Sequence, residues 1–220
     1  AAHFSCERID IFATAVLRNC TNSREATAAI EAGIDKRITI LSNEEEAHLG
    51  FLGACLDRSL DNGTMVDIGG GSTELTHIQN GLDLDKVSIP QGSLSSFANY
   101  VQGLLPTSKE IESIAKHFNT LASKEGANVY AASQLYGIGC SIRSAAKVYG
   151  DLCNNGERYE YLLPEHLDAI LSLYAKDPDA FARQALHTVP DRIHTFIPGC
   201  VIIREIFSLC KADRLDILKF

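Results

Sequence analysis

The residues best suited to chemistry lie in one short segment from Asp67 to Glu74, which reads Asp-Ile-Gly-Gly-Gly-Ser-Thr-Glu. Three consecutive glycines let a backbone approach a ligand closely and let several N–H groups converge, and convergent amides bind phosphate. A dinucleotide fingerprint would lead into a helix and a P-loop would end in Gly-Lys-Ser/Thr, whereas this segment has no lysine and leads into a predicted strand. It therefore predicts either a strand-turn-strand phosphate grip or a plain glycine-rich hairpin. The candidate phosphate ligands are Gly69, Gly70, Gly71, Ser72 and Thr73.

The acidic residues at the two ends of this segment predict a metal ion. A carboxylate at Asp67 would strongly repel a bound phosphate at low dielectric unless a cation or water lay between them. Mg²⁺ is usually held by one or two carboxylates together with substrate oxygens and waters. Asp67 and Glu74 are therefore the candidate ligands of Mg²⁺ or another divalent cation, with a solvated strand residue as the alternative for Glu74. The seven histidines show no zinc-binding spacing.

A second acidic cluster, the three glutamates at 44–46, opens a predicted helix. The helix macrodipole favours carboxylates in a first turn, and Ser42 with Glu45 has the spacing of a capping box. Glu46 lies about 100 degrees further around the helix, on the side of Gly50 and Gly53, where a stripe of glycines would leave room for a ligand. Glu46 is thus the candidate catalytic carboxylate, with an ordinary helix start as the alternative.

Two arginines could bind phosphate oxygens through the planar guanidinium fork. Arg18 follows a predicted strand, and Arg143 follows a second glycine segment at 137–139. For each of them a surface salt bridge is the alternative interpretation.

The order of the predicted elements separates the chain near residue 62. Before that point, strands over 8–14 and 37–41 enclose a helix over 22–32, and a further helix runs from 42 to about 60. After it, three strands follow at once, and Asn80-Gly81 predicts a hairpin turn between the last two. These strands are predicted over 64–68, 73–79 and 82–89, followed by helices over 92–103, 108–122, 141–149, 164–175, 177–187 and 199–210 and by strands over 127–132 and 214–220.

Composition restricts the partners and the compartment. A net charge of −8, with 22% charged residues, gives no support to nucleic-acid binding or to an anionic membrane surface. The seven cysteines include no C-x-x-C pair, so we expect a reducing cytoplasm and mostly buried, inert thiols. No apolar run reaches the roughly 18 residues of a membrane span. We therefore expect a cytoplasmic protein without nucleic-acid or membrane partners.

Three blocks of sequence, taken together, resemble the successive motifs of the Ppx/GppA phosphatases, which are exopolyphosphatases and guanosine-pentaphosphate phosphohydrolases. The glycine segment alone is less specific, because chaperones, actins and sugar kinases of the same superfamily carry similar loops. The residues from Pro198 to Asp213 also resemble the late helix of the family, so the likeness spans essentially the whole chain. The three blocks are Ala13-Thr14-Ala15 with Leu17-Arg18 and Asn22, Ile40-Leu41-Ser42 with Glu44-Glu45-Glu46-Ala47 and Leu49, and Val66 to Leu75.

The resemblance implies an α/β fold of the ribonuclease H-like, actin-type class, with two domains and an active site in the cleft. On this basis residues 1–62 are the C-terminal half of the first domain and residues 63–220 are the second. Glu46 aligns with the carboxylate that activates the attacking water, Arg18 with a substrate-contacting arginine, and the loop from Asp67 to Glu74 with the second phosphate and metal loop. The implied reaction is in-line attack of water on a terminal phosphoryl group.

Some features of the family pattern are missing. Asn43 stands where glycine is usual and His48 where arginine is usual, which weakens a secondary phosphate contact. An early Asp-x-Gly-Ser-Asn-Ser loop and a late Gly-Leu-Arg-Glu-Gly segment do not occur in these 220 residues. We therefore expect this sequence to be a piece of a longer enzyme and to be poorly active by itself.

The expected activity is release of the terminal phosphate from inorganic polyphosphate, with guanosine pentaphosphate as the alternative substrate. A homodimer is a possible assembly. From another class, the chain could be a nucleotide-binding module of the actin or chaperone type, or a phosphate sensor without turnover.

Overall fold

The structure is a computed structural model that describes residues 6–219. The chain divides into two compact units, Ala1–Glu46 and Ala47–Phe220. The predicted boundary near residue 62 is a different division, between the two domains of an actin-type fold. It stays a prediction.

The first unit contains a two-stranded parallel sheet and two helices. β1 (Phe12–Ala13) pairs with β2 (Thr39–Ile40), and between them lie α1 (Ala15–Asn19) and α2 (Ser23–Ile34). Helix α3 (Asn43–Asp57) begins here, and its predicted capping box is confirmed. The Ser42 amide donates to Glu45 Oε2 (2.8 Å) and the Glu45 amide donates to Ser42 Oγ (3.1 Å).

The second unit is built on one mixed sheet of six strands in the order β5-β4-β3-β6-β8-β7. The first three strands form an antiparallel meander, and β6 and β8 continue from β3 in parallel. The predicted hairpin turn is confirmed, since Asn80 and Gly81 have φ angles of 53° and 76°, the signs that a type I′ turn requires. The strands are β3 (Gly63–Ile68), β4 (Thr73–Gln79), β5 (Leu82–Ile89), β6 (Gln134–Ile138), β7 (Tyr161–Leu162) and β8 (Arg214–Ile217).

Helices cover both faces of this sheet. On one face, Phe51 and Ala54 of α3 pack with Met65 and Ile78 in a small core. The opposite face carries the main core, to which alternate strand residues such as Val66 contribute. The helices are α4 (Ser93–Tyr100), α5 (Ser108–Lys124), α6 (Cys140–Val148), α7 (Pro164–Lys176), α8 (Pro178–Thr188) and α9 (Ile193–Cys210).

The strand predicted over 127–132 is wrong. Residues Ala127–Tyr130 form a 3₁₀ turn that starts at Gly126, whose φ is +74°. The turn places the Tyr130 carbonyl where it accepts a hydrogen bond from the buried Thr64 hydroxyl (2.9 Å). The strand of this region, β6, comes later in the chain.

Helix α9 forms the centre of the main core. Within the described residues, the segment Pro190–Cys210 is the one helical stretch long and apolar enough to cross a membrane, with a mean hydropathy of 1.5. The segment contains Asp191, Arg192, Arg204 and Glu205, so it is not a continuous apolar run of the length considered in the sequence analysis. About 72% of its 18-residue apolar window is buried inside the fold, as in the core helix of a globular domain.

Fewer cysteines are buried than the sequence analysis predicts. Cys200 and Cys210 lie in the core, and burial raises the pKa of each thiol. Cys153 is half-buried against the main core, and Cys20 is also half-buried. Cys6, Cys55 and Cys140 are exposed.

Candidate functional site

The glycine segment forms a tight loop between β3 and β4 whose three glycine carbonyl groups all contact the start of α4. The Gly69 amide donates to Ser72 O (3.0 Å) and closes the loop. Four successive carbonyl oxygens, from Ile68 to Gly71, contact the first residues of α4 and α6. The contacts run from Ser141 Oγ to Ile68 O (3.3 Å), from the Ser93 amide to Gly69 O (3.0 Å), from the Leu94 and Ser95 amides to Gly70 O (2.9 and 2.8 Å) and from Ser95 Oγ to Gly71 O (3.4 Å).

The positions of these carbonyls determine the direction of the loop amides. In a planar trans peptide, the C=O of one residue and the N–H of the next point in opposite directions. Because the carbonyls of Gly69, Gly70 and Gly71 face the start of α4, the N–H groups of Gly70, Gly71 and Ser72 face away from it. Three neighbouring amides with one orientation form the concave donor set that binds an oxyanion.

The two hydroxyl residues of the loop have different surroundings. Ser72 is 6% exposed. Its amide is the last of the three loop amides that face away from α4. Thr73 is fully buried, and its hydroxyl donates to the Gln91 carbonyl (2.7 Å). The Thr73 side chain thus ties the loop to the segment before α4.

The two candidate metal ligands face each other across the hairpin. Asp67 and Glu74 are direct partners in the β3–β4 register, so both side chains leave the same face of the sheet. Glu74 is only 5% exposed and accepts a hydrogen bond from the Ser88 hydroxyl (3.0 Å), so it is not the solvated strand residue of the alternative interpretation. Asp67 Oδ1 lies so near Gly139 that a Cβ there would approach it to 2.7 Å.

The donor set at this pair fits magnesium better than zinc. Among the described residues, no group of three or more histidine, cysteine, aspartate or glutamate side chains could hold a metal alone. Two hard carboxylates directly opposite each other match the way Mg²⁺ is bound, through few protein ligands plus substrate oxygens and waters.

The candidate catalytic carboxylate and the candidate substrate arginine lie together in the first unit. Arg18 Nη1 donates to Glu46 Oε2 (2.9 Å) and to the Leu41 carbonyl (2.7 Å). The side chains of Arg18 and Glu46 are 17% and 25% exposed. Arg18 Nε and Nη2 are buried and have no hydrogen-bond partner among the described residues. A buried guanidinium with unused donors is costly unless an acceptor satisfies them, and a phosphate oxygen is such an acceptor.

Gly50, one of the two glycines on the side of Glu46, has a packing role instead of lining a ligand space. A Cβ at Gly50 would lie 3.3 Å from Ile138 Cδ1 and 3.8 Å from Met65 Cε. Gly50 therefore lets α3 approach the sheet closely. His48, which occupies the position where the family has arginine, pairs with Asp83 (Nδ1 to Oδ2, 2.8 Å).

Arg143 lines a pocket of about 660 Å³ together with Arg58, Lys147 and Arg158. Its Nη2 lies 3.5 Å from Cys140 Sγ. Among the described residues it forms no ion pair, so the structure does not show the surface salt bridge that was its alternative.

The residues missed by sequence reasoning are those that hold the loop from outside. Ser93, Ser95 and Ser141 contact the loop carbonyls, and Gly92 packs against them. The one sequence feature that could have pointed to these residues is their position at predicted helix starts. From sequence alone, small residues at a helix start are explained by capping.

A model of the Ppx/GppA phosphatase family matches residues 1–218. The chain belongs to the Ppx/GppA phosphatase family. The family therefore identifies the chain as a phosphohydrolase of this class.

Solved structures of Ppx/GppA proteins have the same fold. The PPX-GPPA enzyme of Aquifex aeolicus is 18% identical with a TM-score of 0.79, over 100% of this chain and 74% of that chain. An exopolyphosphatase from Cytophaga hutchinsonii is 14% identical with a TM-score of 0.82, over 99% and 72%. An exopolyphosphatase-like protein is 20% identical with a TM-score of 0.83, over 99% and 75%. These structures confirm the predicted α/β, ribonuclease H-like fold, and the family match places this Ppx/GppA phosphatase in the actin-like superfamily.

Proposed function

We propose that this Ppx/GppA phosphatase releases the terminal phosphate of inorganic polyphosphate, with guanosine pentaphosphate as the alternative substrate of the same site. The observation that supports a phosphoanhydride substrate is the loop after β3, where three successive amides turn to one side because their carbonyls are bound on the other. Such a donor set recognises phosphoryl oxygens and carries no preference for what lies beyond them.

In the proposed reaction, the Gly70, Gly71 and Ser72 amides bind the oxygens of the phosphoryl group and stabilise the charge that develops on them. Fixed amides are effective here because they need no reorganisation in the transition state. The two unused Arg18 donors would bind a further phosphate oxygen.

Glu46 would act as the general base. It accepts a proton from water, which attacks phosphorus in line with the leaving phosphate oxygen. The ion pair with Arg18 fixes the orientation of the carboxylate, and one carboxylate oxygen remains for the water.

Asp67 and Glu74 would hold Mg²⁺. When bound, the ion supplies neutralisation of charge on the bridging phosphate oxygens. The residues themselves contribute two carboxylates fixed by the β3–β4 register and, for Glu74, by the Ser88 hydroxyl.

Phosphate release by the full-length protein tests the proposal. We expect orthophosphate from polyphosphate and, at a different rate, from guanosine pentaphosphate, with activity that requires Mg²⁺ and is lost in EDTA. Release from guanosine pentaphosphate alone would support the alternative substrate. Release from neither, with tight nucleotide binding, would overturn the proposal in favour of a binding module.

A further inference from the structure

The loop between β3 and β4 lies against a glycine outside its own segment. A Cβ at Gly92 would lie 2.5 Å from Gly69 O and 2.7 Å from both the carbonyl carbon and the oxygen of Gly70. These atoms belong to backbone and cannot move aside as a flexible side chain would. Glycine is therefore the one residue type at position 92 that permits the loop and the start of α4 to lie this close together.

The first turn of α4 uses this proximity to bind the loop. The Ser93 amide and hydroxyl lie 3.0 and 3.2 Å from Gly69 O. The Leu94 and Ser95 amides donate to Gly70 O. Helix amides that would otherwise be free thus bind the loop carbonyls, so the macrodipole of α4 acts on carbonyl oxygens and not on a ligand.

Ser95 joins the two segments through its hydroxyl. Its Oγ accepts a hydrogen bond from the Gly92 amide (2.9 Å), and its single proton lies within donating distance of Gly71 O (3.4 Å) and Gly92 O (3.3 Å). Loss of this hydroxyl would release the Gly92 amide and the Gly71 carbonyl together.

The segment that holds the loop is itself fixed to the core. Gln91 is 2% exposed, its carbonyl accepts from Thr73 Oγ1, and its Nε2 donates to Ser96 Oγ (2.9 Å) and to Ile114 O (3.2 Å) on α5. Position 91 is thereby connected to the loop, to α4 and to α5. The start of α4 is therefore a rigid support for the loop.

We propose that Gly92 and Ser95 are positioning residues for phosphate binding and phosphoryl transfer, a role that rests on the proposed function. They fix the carbonyls of Gly69, Gly70 and Gly71 on the α4 side and so aim the amides of Gly70, Gly71 and Ser72 at the phosphoryl oxygens. Neither side chain touches the substrate.

The Gly92→Ala variant tests this role in the full-length protein. The added methyl group must displace the loop, and a displacement of about 1 Å can reduce turnover on the order of a hundredfold. We expect kcat to fall by about tenfold or more, and inorganic phosphate to bind correspondingly more weakly by calorimetry. The matched control is Gly103→Ala, because a Cβ at Gly103 meets its nearest atom at an ordinary 3.7 Å. Unchanged kcat and phosphate affinity in folded Gly92→Ala would overturn the proposal, as would an equal loss in the control.

Ser95 gives a second test that does not depend on a tight backbone contact. We expect Ser95→Ala to lower kcat and phosphate affinity by about threefold to tenfold, and Ser95→Thr, which retains the hydroxyl, to restore most of both. Ser113→Ala removes an exposed helix hydroxyl that donates to Lys109 O (2.9 Å) and serves as the control. Equal activity of the alanine and threonine variants would contradict the role of the hydroxyl.

Two readouts separate this inference from the proposed function. If the wild-type protein releases no phosphate from either substrate, the proposed function fails, while weaker binding of inorganic phosphate in Gly92→Ala still supports the positioning role. If the wild type is active and both Gly92→Ala and Ser95→Ala match it, the positioning role alone fails.

Discussion

Arg18 binds Glu46 and the Leu41 carbonyl through a single nitrogen and leaves two buried donors for another acceptor. The arginine can therefore orient the carboxylate and bind an anion at the same time. A substitution that neutralises Glu46 would remove the carboxylate that Arg18 orients and would leave the two donors of Arg18 for an anion.

We predict that Glu46→Gln lowers kcat by about a hundredfold or more and leaves substrate affinity nearly unchanged, because the amide cannot accept the proton of the attacking water. Turnover and equilibrium binding of polyphosphate, measured on the same full-length protein, check this. Glu44→Gln is the matched control, since Glu44 is an exposed glutamate in the same helical turn. Wild-type turnover in Glu46→Gln would remove Glu46 from the mechanism.

We predict that Arg18→Lys weakens phosphate affinity by about tenfold or more, although the positive charge remains. Lysine can donate to Leu41 O or Glu46 but cannot present the planar fork whose Nε and Nη2 are unused in the structure. Calorimetry with inorganic phosphate gives the measurement, with the exposed Arg24→Lys as the control. Equal affinities of Arg18→Lys and wild type would show that the two donors bind no phosphate.

The sequence was sufficient to propose most of the site residues, because the glycine run, Glu46 and Arg18 lie in short motifs. It could not assign Gly92 or Ser95, since their partners are backbone carbonyls more than twenty residues away and no side-chain pattern records them. The burial of Glu74 was equally hidden, because it depends on strand β5 and the Ser88 hydroxyl.

At the scale of elements, one aromatic cluster joins α7 to the turn after α6. His166 of α7 is 5% exposed and stacks on Tyr149 with ring centroids 3.9 Å apart. Tyr159 and Tyr161 pack against the same ring at 5.1 and 5.9 Å. Burial lowers the pKa of His166 below its ordinary 6.5, although Glu165 acts in the opposite direction.

This cluster predicts a dependence of stability on pH. Since the folded pKa of His166 is lowered, the unfolded chain binds the proton more readily, and the free energy of unfolding falls as pH drops from about 7 towards 5. We expect His166→Phe, which keeps an aromatic ring and cannot be protonated, to show a shallower fall in urea unfolding over this range. The exposed His187→Gln should keep the wild-type slope. Equal slopes for His166→Phe and wild type would contradict this explanation.

The elements that the sequence predicted well are those fixed by neighbouring residues. The Asn80-Gly81 turn and the Ser42–Glu45 capping box depend on contacts within four positions. The strand predicted at 127–132 failed because its apolar residues serve a 3₁₀ turn whose Tyr130 carbonyl bonds to Thr64, a tertiary contact. Local sequence patterns therefore predict elements that depend on neighbouring residues. They fail at 127–132, where the structure depends on a contact with a residue distant in sequence.

At the scale of the whole molecule, the distribution of thiols predicts two classes of reactivity. Cys6, Cys55 and Cys140 are exposed, whereas Cys200 and Cys210 are buried and have raised pKa values, for Cys210 about 12. We expect a thiol reagent to label the three exposed cysteines within minutes in native protein, and Cys200 and Cys210 only after unfolding. Mass spectrometry of labelled peptides checks this. Fast native labelling of Cys200 would show that α9 does not lie in a closed core.

The strand order of the second unit has a consequence for its biosynthesis. β8 lies between β6 and β7, and α9 packs against α4, α5, α6 and α7. Until residues 193–217 leave the ribosome, the nascent chain lacks both α9 and β8. Its sheet is then missing the strand between β6 and β7. The meander of β3, β4 and β5 can pair early because its contacts are local. Completion of the sheet must wait for β8, so one edge of β6 and the whole of β7 stay unpaired until that strand is synthesised.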